Sequence, residues 1–140
     1  GRDNARTPMQ WDDSAHGGFT EGTPWIRENS NYKSINAKEQ MGREDSVFQF
    51  YQKLFGMRKD SQVIQEGTYR LLLSEHPGLF VYEREWEGER LLVACNFTDQ
   101  WQELRVPGRT LKEAGLWLGN YETEPERAGL RPYEGTVWAL

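Results

Sequence analysis

Acid–base and glycosidic chemistry both need two carboxylates converging on one bond, roughly 5–5.5 Å apart where configuration is retained. The acidic groupings in this sequence are Asp12-Asp13, Glu44-Asp45 and the alternating set Glu83, Glu85, Glu87 and Glu89. The first pair falls in a turn-rich stretch and the second at a helix start. The third set reads as the solvated face of a hairpin. No G-x-S-x-G, H-E-x-x-H, G-x-G-x-x-G or P-loop spacing occurs. The residues by themselves point to no catalytic machinery.

The other chemically versatile side chains have structural readings. Cys95 lies in the apolar run Leu91-Leu92-Val93-Ala94-Cys95, where a buried, inert thiol is expected rather than a nucleophile. His16 and His76 are too few and too far apart in sequence for a metal site, and no cofactor or metal is expected. Asn96-Phe97-Thr98 fits the N-glycosylation pattern but ends a buried-looking strand, so the match is read as accidental. Six tryptophans raise the idea of sugar-stacking platforms. Large rings are also the usual filling of cores, and Trp86, Trp117 and Trp138 lie in strand-like runs where packing is the expected role. Trp11 and Trp25, beside Pro8 and Pro24, are the better candidates for lining a site, although packing is preferred for them too.

A chain of 140 residues is one ordinary domain in length. It is long enough to bury roughly 68–70% of its unfolded surface. Hydrophobic residues make up 36% of it and 14 residues are glycine, a globular composition rather than a disordered one. No run approaches the ~18 apolar residues of a membrane span. Seventeen basic against 22 acidic residues give a net charge of −5, the wrong sign for neutralising phosphates, so nucleic acid is not expected as a partner. One cysteine cannot form an internal disulfide, which suits a reducing cytoplasm. The chain starts at Gly1 without a methionine or signal-peptide core, as if cut from something longer.

Residues 1 to about 43 show no sustained period of 2 or 3.6 and are rich in Asn, Asp, Gly, Thr and Pro. The aromatics Trp11, Phe19, Trp25 and Tyr32 among them argue against a disordered tail. An ordered loop that packs against something is expected, since a long structureless loop is usually functional or a linker. Residues 44–59 predict a helix, with Val47, Phe48, Tyr51, Leu54, Phe55 and Arg58 on one stripe. Ser46 and Gln49 form a capping-box pattern, and Glu44 and Asp45 favour the positive end of the helix dipole. Gly56 inside the helix costs about 1 kcal/mol relative to Ala, so a close contact is expected there.

From Gly67 the period changes to 2. Residues 68–73, 79–86, 90–97, 101–106, 115–119 and 130–139 predict short strands separated by Gly, Pro and Asp breakers. Glu87-Gly88 between two such runs predicts a tight hairpin. The expected fold is mainly β, with about six strands in a small antiparallel sandwich.

Beyond these patterns, Arg2-Asp3-Asn4-Ala5-Arg6-Thr7-Pro8-Met9-Gln10-Trp11 resembles a signature of α-glucosidases in glycoside hydrolase family 13. Oligo-1,6-glucosidases, trehalose-6-phosphate hydrolases and their sucrose-isomerising relatives are the nearest look-alikes. The resemblance continues in order through Gly18-Phe19-Thr20, Pro24-Trp25-Ile26, Asn31-Tyr32-Lys33, Ile35-Asn36 and Asp45-Ser46-Val47-Phe48. It then runs through Tyr51–Lys59, Leu91-Leu92-Val93, Asn96-Phe97 and Leu130-Arg131-Pro132-Tyr133-Glu134, covering the whole chain.

In that family a (β/α)8 barrel carries the catalytic site and a C-terminal antiparallel β-domain packs on it. The resemblance implies that residues 1–62 are the end of the barrel, namely the loop after the eighth strand and the eighth helix at about 44–59. Residues 63–140 would then be the C-terminal antiparallel β-domain. The family's nucleophile, acid/base and transition-state carboxylates have no counterpart here, so no residue of this chain is assigned as catalytic.

One substrate-binding residue carries over. Arg2, by its place in the Arg-Asp-Asn-x-Arg motif, resembles the arginine that reaches the sugar beside the scissile bond, a role suited to a rigid fork of donors. Loops at the C-terminal ends of barrel strands build such sites. Arg6, Asn4 and Trp11 are read as scaffold.

The function implied is part of an α-glucosidase acting with retention on short α-glucosides of the isomalto-oligosaccharide type. Its partners would be the absent barrel and the sugar. Trehalose 6-phosphate is the alternative substrate. A separate carbohydrate-binding module, or a β-domain that only packs, is the alternative class.

Overall fold

The computed structural model describes residues 2–140, which fall into two compact units, Gly1–Gly56 and Met57–Leu140. In the first unit, two 3₁₀ turns, Arg2–Ala5 and Ala15–Gly18, and a short helix α1, Ala37–Met41, punctuate irregular chain. Order there comes from isolated backbone and side-chain hydrogen bonds rather than from a repeating ladder. The backbone of Gln10 and Trp11 accepts from the N–H groups of Ala37 and Lys38, both at 2.9 Å. The Gln10 side chain donates to Asn31 Oδ1 at 3.3 Å and to the Ile35 carbonyl, and accepts from Asn29 Nδ2 at 3.3 Å. Asn36 caps α1 by accepting from the Glu39 N–H at 2.9 Å. The chain reverses through His16, Gly17 and Gly18, all at positive φ. A Cβ at Gly18 would lie 2.8 Å from the Asp12 carboxylate, so glycine is required there.

Helix α2, Val47–Asp60, starts three residues later than the sequence predicts. Ser46 is its cap, accepting from the Gln49 N–H at 3.2 Å. Asp45 is held outside the helix by Arg43 at 3.0 Å. Only half of the capping box forms, because the Gln49 side chain donates to the Met41 carbonyl at 3.1 Å. No α2 residue is buried. Val47 and Phe55 are each 66% exposed, and Phe48 and Tyr51 are exposed beside them. Gly56 makes no close approach: a Cβ built there has nothing within 4 Å, contrary to the expected contact.

The second unit opens with α3, Gln62–Gln65, capped by Ser61. Its strands are β1 Thr68–Leu72, β2 Leu79–Trp86, β3 Glu89–Asn96, β4 Gln102–Glu103, β5 Gly115–Gly119, β6 Gly129–Leu130 and β7 Gly135–Ala139. They form a five-stranded antiparallel sheet in the order β1-β2-β3-β7-β5 and a two-stranded antiparallel ribbon β4-β6. The predicted Glu87-Gly88 hairpin is present, both residues having positive φ between the paired Trp86 and Glu89. Leu79 and Val81 of β2, Leu92 and Ala94 of β3 and Trp138 of β7 pack against Leu104, Leu111, Ala114 and Leu130. The core therefore lies between the large sheet and the ribbon with its flanking loops. Each fully buried Val or Leu contributes about 1.5–3 kcal/mol of transfer free energy.

Four expectations need correction. The 130–139 run is two strands, because residues 131–134 form a turn in which Glu134 accepts from the Arg131 backbone N–H at 2.7 Å and from its guanidinium. The 101–106 run keeps only Gln102–Glu103 as strand. Trp138 is buried as expected, but Trp117 is 43% exposed and Trp86 only half-buried. Trp117 falls in a bulge of β5 between Leu116 and Leu118, which takes it out of the ladder. Glu83 is not on a solvated face. It is 3% exposed, shares the inward face with Leu79 and Val81, and is neutralised there by Arg109.

The outward face of the large sheet carries Tyr69, Leu71, Phe80, Tyr82, Val93 and Val137, related by cross-strand register. Tyr69, Leu71 and Phe80 are exposed. Arg84, also on this face, donates to the carbonyls of Val63 at 3.0 Å and Gly67 at 2.6 Å, tying α3 to β2.

Candidate functional site

Three residues of the Arg2–Trp11 motif, Arg2 not among them, form one side of a cleft of about 510 Å³ in the first unit. Asp3, Asn4 and Thr7 line it together with Trp25, Ile26, Arg27, Glu28 and Asn29. Arg2 is exposed in the 3₁₀ turn that opens the motif, closed by the Arg6 N–H donating to the Asp3 carbonyl at 2.9 Å. The Arg6 guanidinium lies 5.2 Å from the Trp25 ring centroid, a cation–π distance, while Trp25 stays 87% exposed. Trp11 is exposed as well. Gln10 is the residue that pins this loop. Sequence reasoning missed it, since its partners, residues 29–37, follow no period.

The acidic groups identified from the sequence do not assemble into an acid–base pair. Asp12 accepts from the Ser14 N–H at 2.9 Å and from its hydroxyl, and these bonds hold its pKa below the usual carboxylate value. Asp13 faces Lys38 at 3.7 Å. Asp45 is likewise lowered, first by its hydrogen bonds from Arg43. The Arg109 guanidinium lowers Glu83 in the same way. A general acid needs the opposite, a carboxyl pushed upward by burial. Burial does push the Cys95 thiol up, which keeps it protonated and inert. His76 Nδ1 accepts from the N–H groups of Gly78 at 3.2 Å and Leu79 at 2.9 Å, so it is a turn residue.

Two other matching motifs turn out to be one structural unit. The buried Asn96 side chain donates to the carbonyls of Gln100 at 2.7 Å, Leu130 at 3.3 Å and Arg131 at 2.8 Å. Its Oδ1 accepts from the Thr98 N–H at 2.9 Å and hydroxyl at 2.8 Å. The Asn96 side chain is thus a buried clasp joining the end of β3 to the Leu130–Glu134 turn, while Phe97 beside it is 70% exposed.

Residues 1–67 match the family described as Alpha amylase, catalytic domain, and residues 69–137 match Maltogenic Amylase, C-terminal domain. The chain belongs to the α-amylase family of glycoside hydrolases.

Within that family it is 46% identical to an oligo-1,6-glucosidase of Halalkalibacterium halodurans, over 99% of this chain and 26% of the relative. It is 40% identical to a trehalose-6-phosphate hydrolase of Bacillus subtilis, over 99% of this chain and 26% of that protein. The crystal structure of Bacillus licheniformis trehalose-6-phosphate hydrolase superposes with a TM-score of 0.91 at 38% identity, again over 99% of this chain and 26% of that one. The chain spans about a quarter of the length of the relatives it matches. No helix among the described residues is long and apolar enough to cross a membrane.

Proposed function

We propose that this chain is the C-terminal portion of an α-glucosidase that hydrolyses short α-glucosides of the isomalto-oligosaccharide type with retention. The observation that supports this most is the 46% identity to an oligo-1,6-glucosidase along nearly the whole chain. In this reading residues 1–62 complete a (β/α)8 barrel and residues 63–140 are its C-terminal β-domain. The converging carboxylates that retention requires belong to preceding segments. Arg2 directs its guanidinium at the sugar next to the scissile bond, and the loop pinned by Gln10 holds the motif in position. The exposed stripe of α2 and the apolar outward face of the sheet are the surfaces the barrel covers. The working compartment is the cytoplasm.

Trehalose 6-phosphate is the second substrate reading, supported by the 40% identity to the hydrolase of that name over the same span. The test is to express the full-length parent and the 140-residue chain side by side. The parent should release α-glucose from isomaltose, with the anomer followed by NMR, and the chain should hydrolyse nothing. Turnover of p-nitrophenyl α-glucoside by the purified chain, free of host enzyme, overturns the assignment of the carboxylates to preceding segments. A parent that cleaves trehalose 6-phosphate in preference to isomaltose selects the second reading.

A further inference from the structure

The second unit holds a cleft of about 890 Å³ that the proposed reaction does not use. Three elements build it: the α2–α3 junction with Met57, Asp60, Ser61 and Gln62, the β2–β3 hairpin tip with Trp86, Glu87 and Glu89, and the β5 bulge with Leu116 and Trp117. Each is held in place. Ser61 caps α3, accepting from the Ile64 N–H at 3.3 Å, and Gln65 donates to the Lys59 carbonyl at 2.8 Å across the junction. The tight turn fixes Glu87 and Glu89 on either side of Gly88. The bulge turns Trp117 out of the ladder, leaving a large ring 43% exposed on the same cleft as the half-buried Trp86. Re-aiming one side chain is what a bulge does.

We propose that this cleft is a second carbohydrate-binding site, taking a short neutral chain of α-linked glucose. Two indole faces supply the apolar platforms on which the C–H faces of a pyranose stack. Asp60, Gln62, Glu87 and Glu89, whose side chains make no hydrogen bond to another residue among the described ones, offer acceptors to sugar hydroxyls. The volume is that of an ordinary ligand site. No lysine or arginine lines it, so a phosphorylated sugar is disfavoured. The composition also separates it from the middle of the outward sheet face, at whose hairpin end Trp86 lies. Buried interface cores are depleted in charge, as the Tyr69, Leu71, Phe80, Tyr82, Val93 and Val137 surface is, whereas three carboxylates line the cleft. The choice of α-glucose rests on the proposed function, while the site itself rests on the cleft.

The test titrates the 140-residue chain with isomaltotriose, reading tryptophan fluorescence and the indole N–H signals by NMR. Saturable shifts confined to Trp86 and Trp117 are expected, with Kd raised about tenfold in Trp117→Ala for loss of one stacked ring. Trehalose 6-phosphate should bind more weakly. Glu87→Gln with Glu89→Gln, on the exposed turn, keeps the question answerable if Trp117→Ala fails to fold, and should also weaken isomaltotriose. Absence of saturable shifts, or binding untouched by these changes, overturns the proposal. So does a full-length parent in which acrylamide cannot quench Trp86 and Trp117, since the cleft would then be an interface. A parent that hydrolyses isomaltose while the chain binds nothing removes only the cleft site. A chain that binds while the parent hydrolyses no α-glucoside removes only the enzyme reading.

Discussion

Glu83 and Arg109, twenty-six positions apart, meet as a two-point ion pair on the inward side of the sheet. One guanidinium nitrogen donates to Oε1 at 2.8 Å and Nε donates to Oε2. Arg70 stands 3.9 Å away on the same carboxylate. Removing one partner of a buried pair costs about 3–5 kcal/mol, because the other is left charged and unpaired, while replacing both with apolar residues of similar size is often neutral. Glu83→Gln should therefore destabilise strongly, and Glu83→Leu with Arg109→Met should recover much of the loss. Urea denaturation of the three variants checks this. A double variant worse than the single would show that the pair is a net stabiliser.

The same pair sets a pH dependence. The folded-state pKa of Glu83 is lowered, first by the Arg109 hydrogen bond. Its contribution is complete above the ordinary carboxylate range and is lost as pH falls through the depressed folded value. Stability should drop on acidification below the ordinary glutamate pKa, and the slope should be shallower in the Glu83→Leu, Arg109→Met variant. Thermal melts across that window measure it.

Asn96→Ala would remove the amide shared by the Leu130 and Arg131 carbonyls, while the Gln100 carbonyl keeps the Thr98 hydroxyl as a donor at 3.1 Å. Each buried group left unmade costs about 1–3 kcal/mol, so this variant should be among the most damaging single changes in the β-domain. Passed through a glycosylating secretory pathway, the folded wild-type chain should carry no glycan at Asn96. Mass spectrometry reads the second outcome and denaturation the first.

Arg2→Ala in the parent removes up to five N–H donors from the proposed sugar site. A charged hydrogen bond of this kind is worth about 1.5–3 kcal/mol, so kcat/KM should fall roughly 10- to 200-fold. Arg2→Lys keeps the charge without the fork and should recover only part. If Arg2→Ala leaves kcat/KM intact and lowers Tm, the residue is a loop clamp.

Gly56→Ala should stabilise α2 in the 140-residue chain by about 1 kcal/mol, because a methyl there meets nothing. Phe55→Ser, at a position 66% exposed, should barely change that chain. In the parent the order reverses if the barrel covers the stripe: Phe55→Ser should cost more than Gly56→Ala gains. Paired melts of chain and parent decide it.

Much of this architecture was legible in the sequence, and its gaps have physical causes. Apolar stripes and breakers located α2 and the main strands, because periodicity reports which residues share a face. It does not report which face turns inward. In β2 the aromatic set Phe80, Tyr82 and Trp86 faces out, and the set holding Glu83 faces in. That choice depends on Arg109, in irregular chain with no signature of its own. The break at 131–134 was hidden for a similar reason, since the Arg131–Glu134 pair and the Asn96 clasp are long-range or local side-chain bonds that leave no period. In the first unit the motif pointed to Arg2, but Gln10, whose amide ties the loop together, has side-chain partners spread over the seven irregular residues 29–35. The stripe of α2 is read correctly as a stripe, but its exposure at Val47, Phe48, Tyr51 and Phe55 is something periodicity does not report.

β7 lies between β3 and β5, yet it is the last of the seven strands to leave the ribosome. Until residues 135–139 emerge, β5 has no neighbour in the sheet and the β2–β3 hairpin shows a bare edge. Trp138, the largest fully buried side chain, arrives only then. Synthesis order and assembly order thus run against each other, and the domain must close in one late step. A nascent chain stalled between residues 97 and 134 presents the open β3 edge, the feature that invites aggregation. Premature termination there should yield insoluble product rather than a shortened domain.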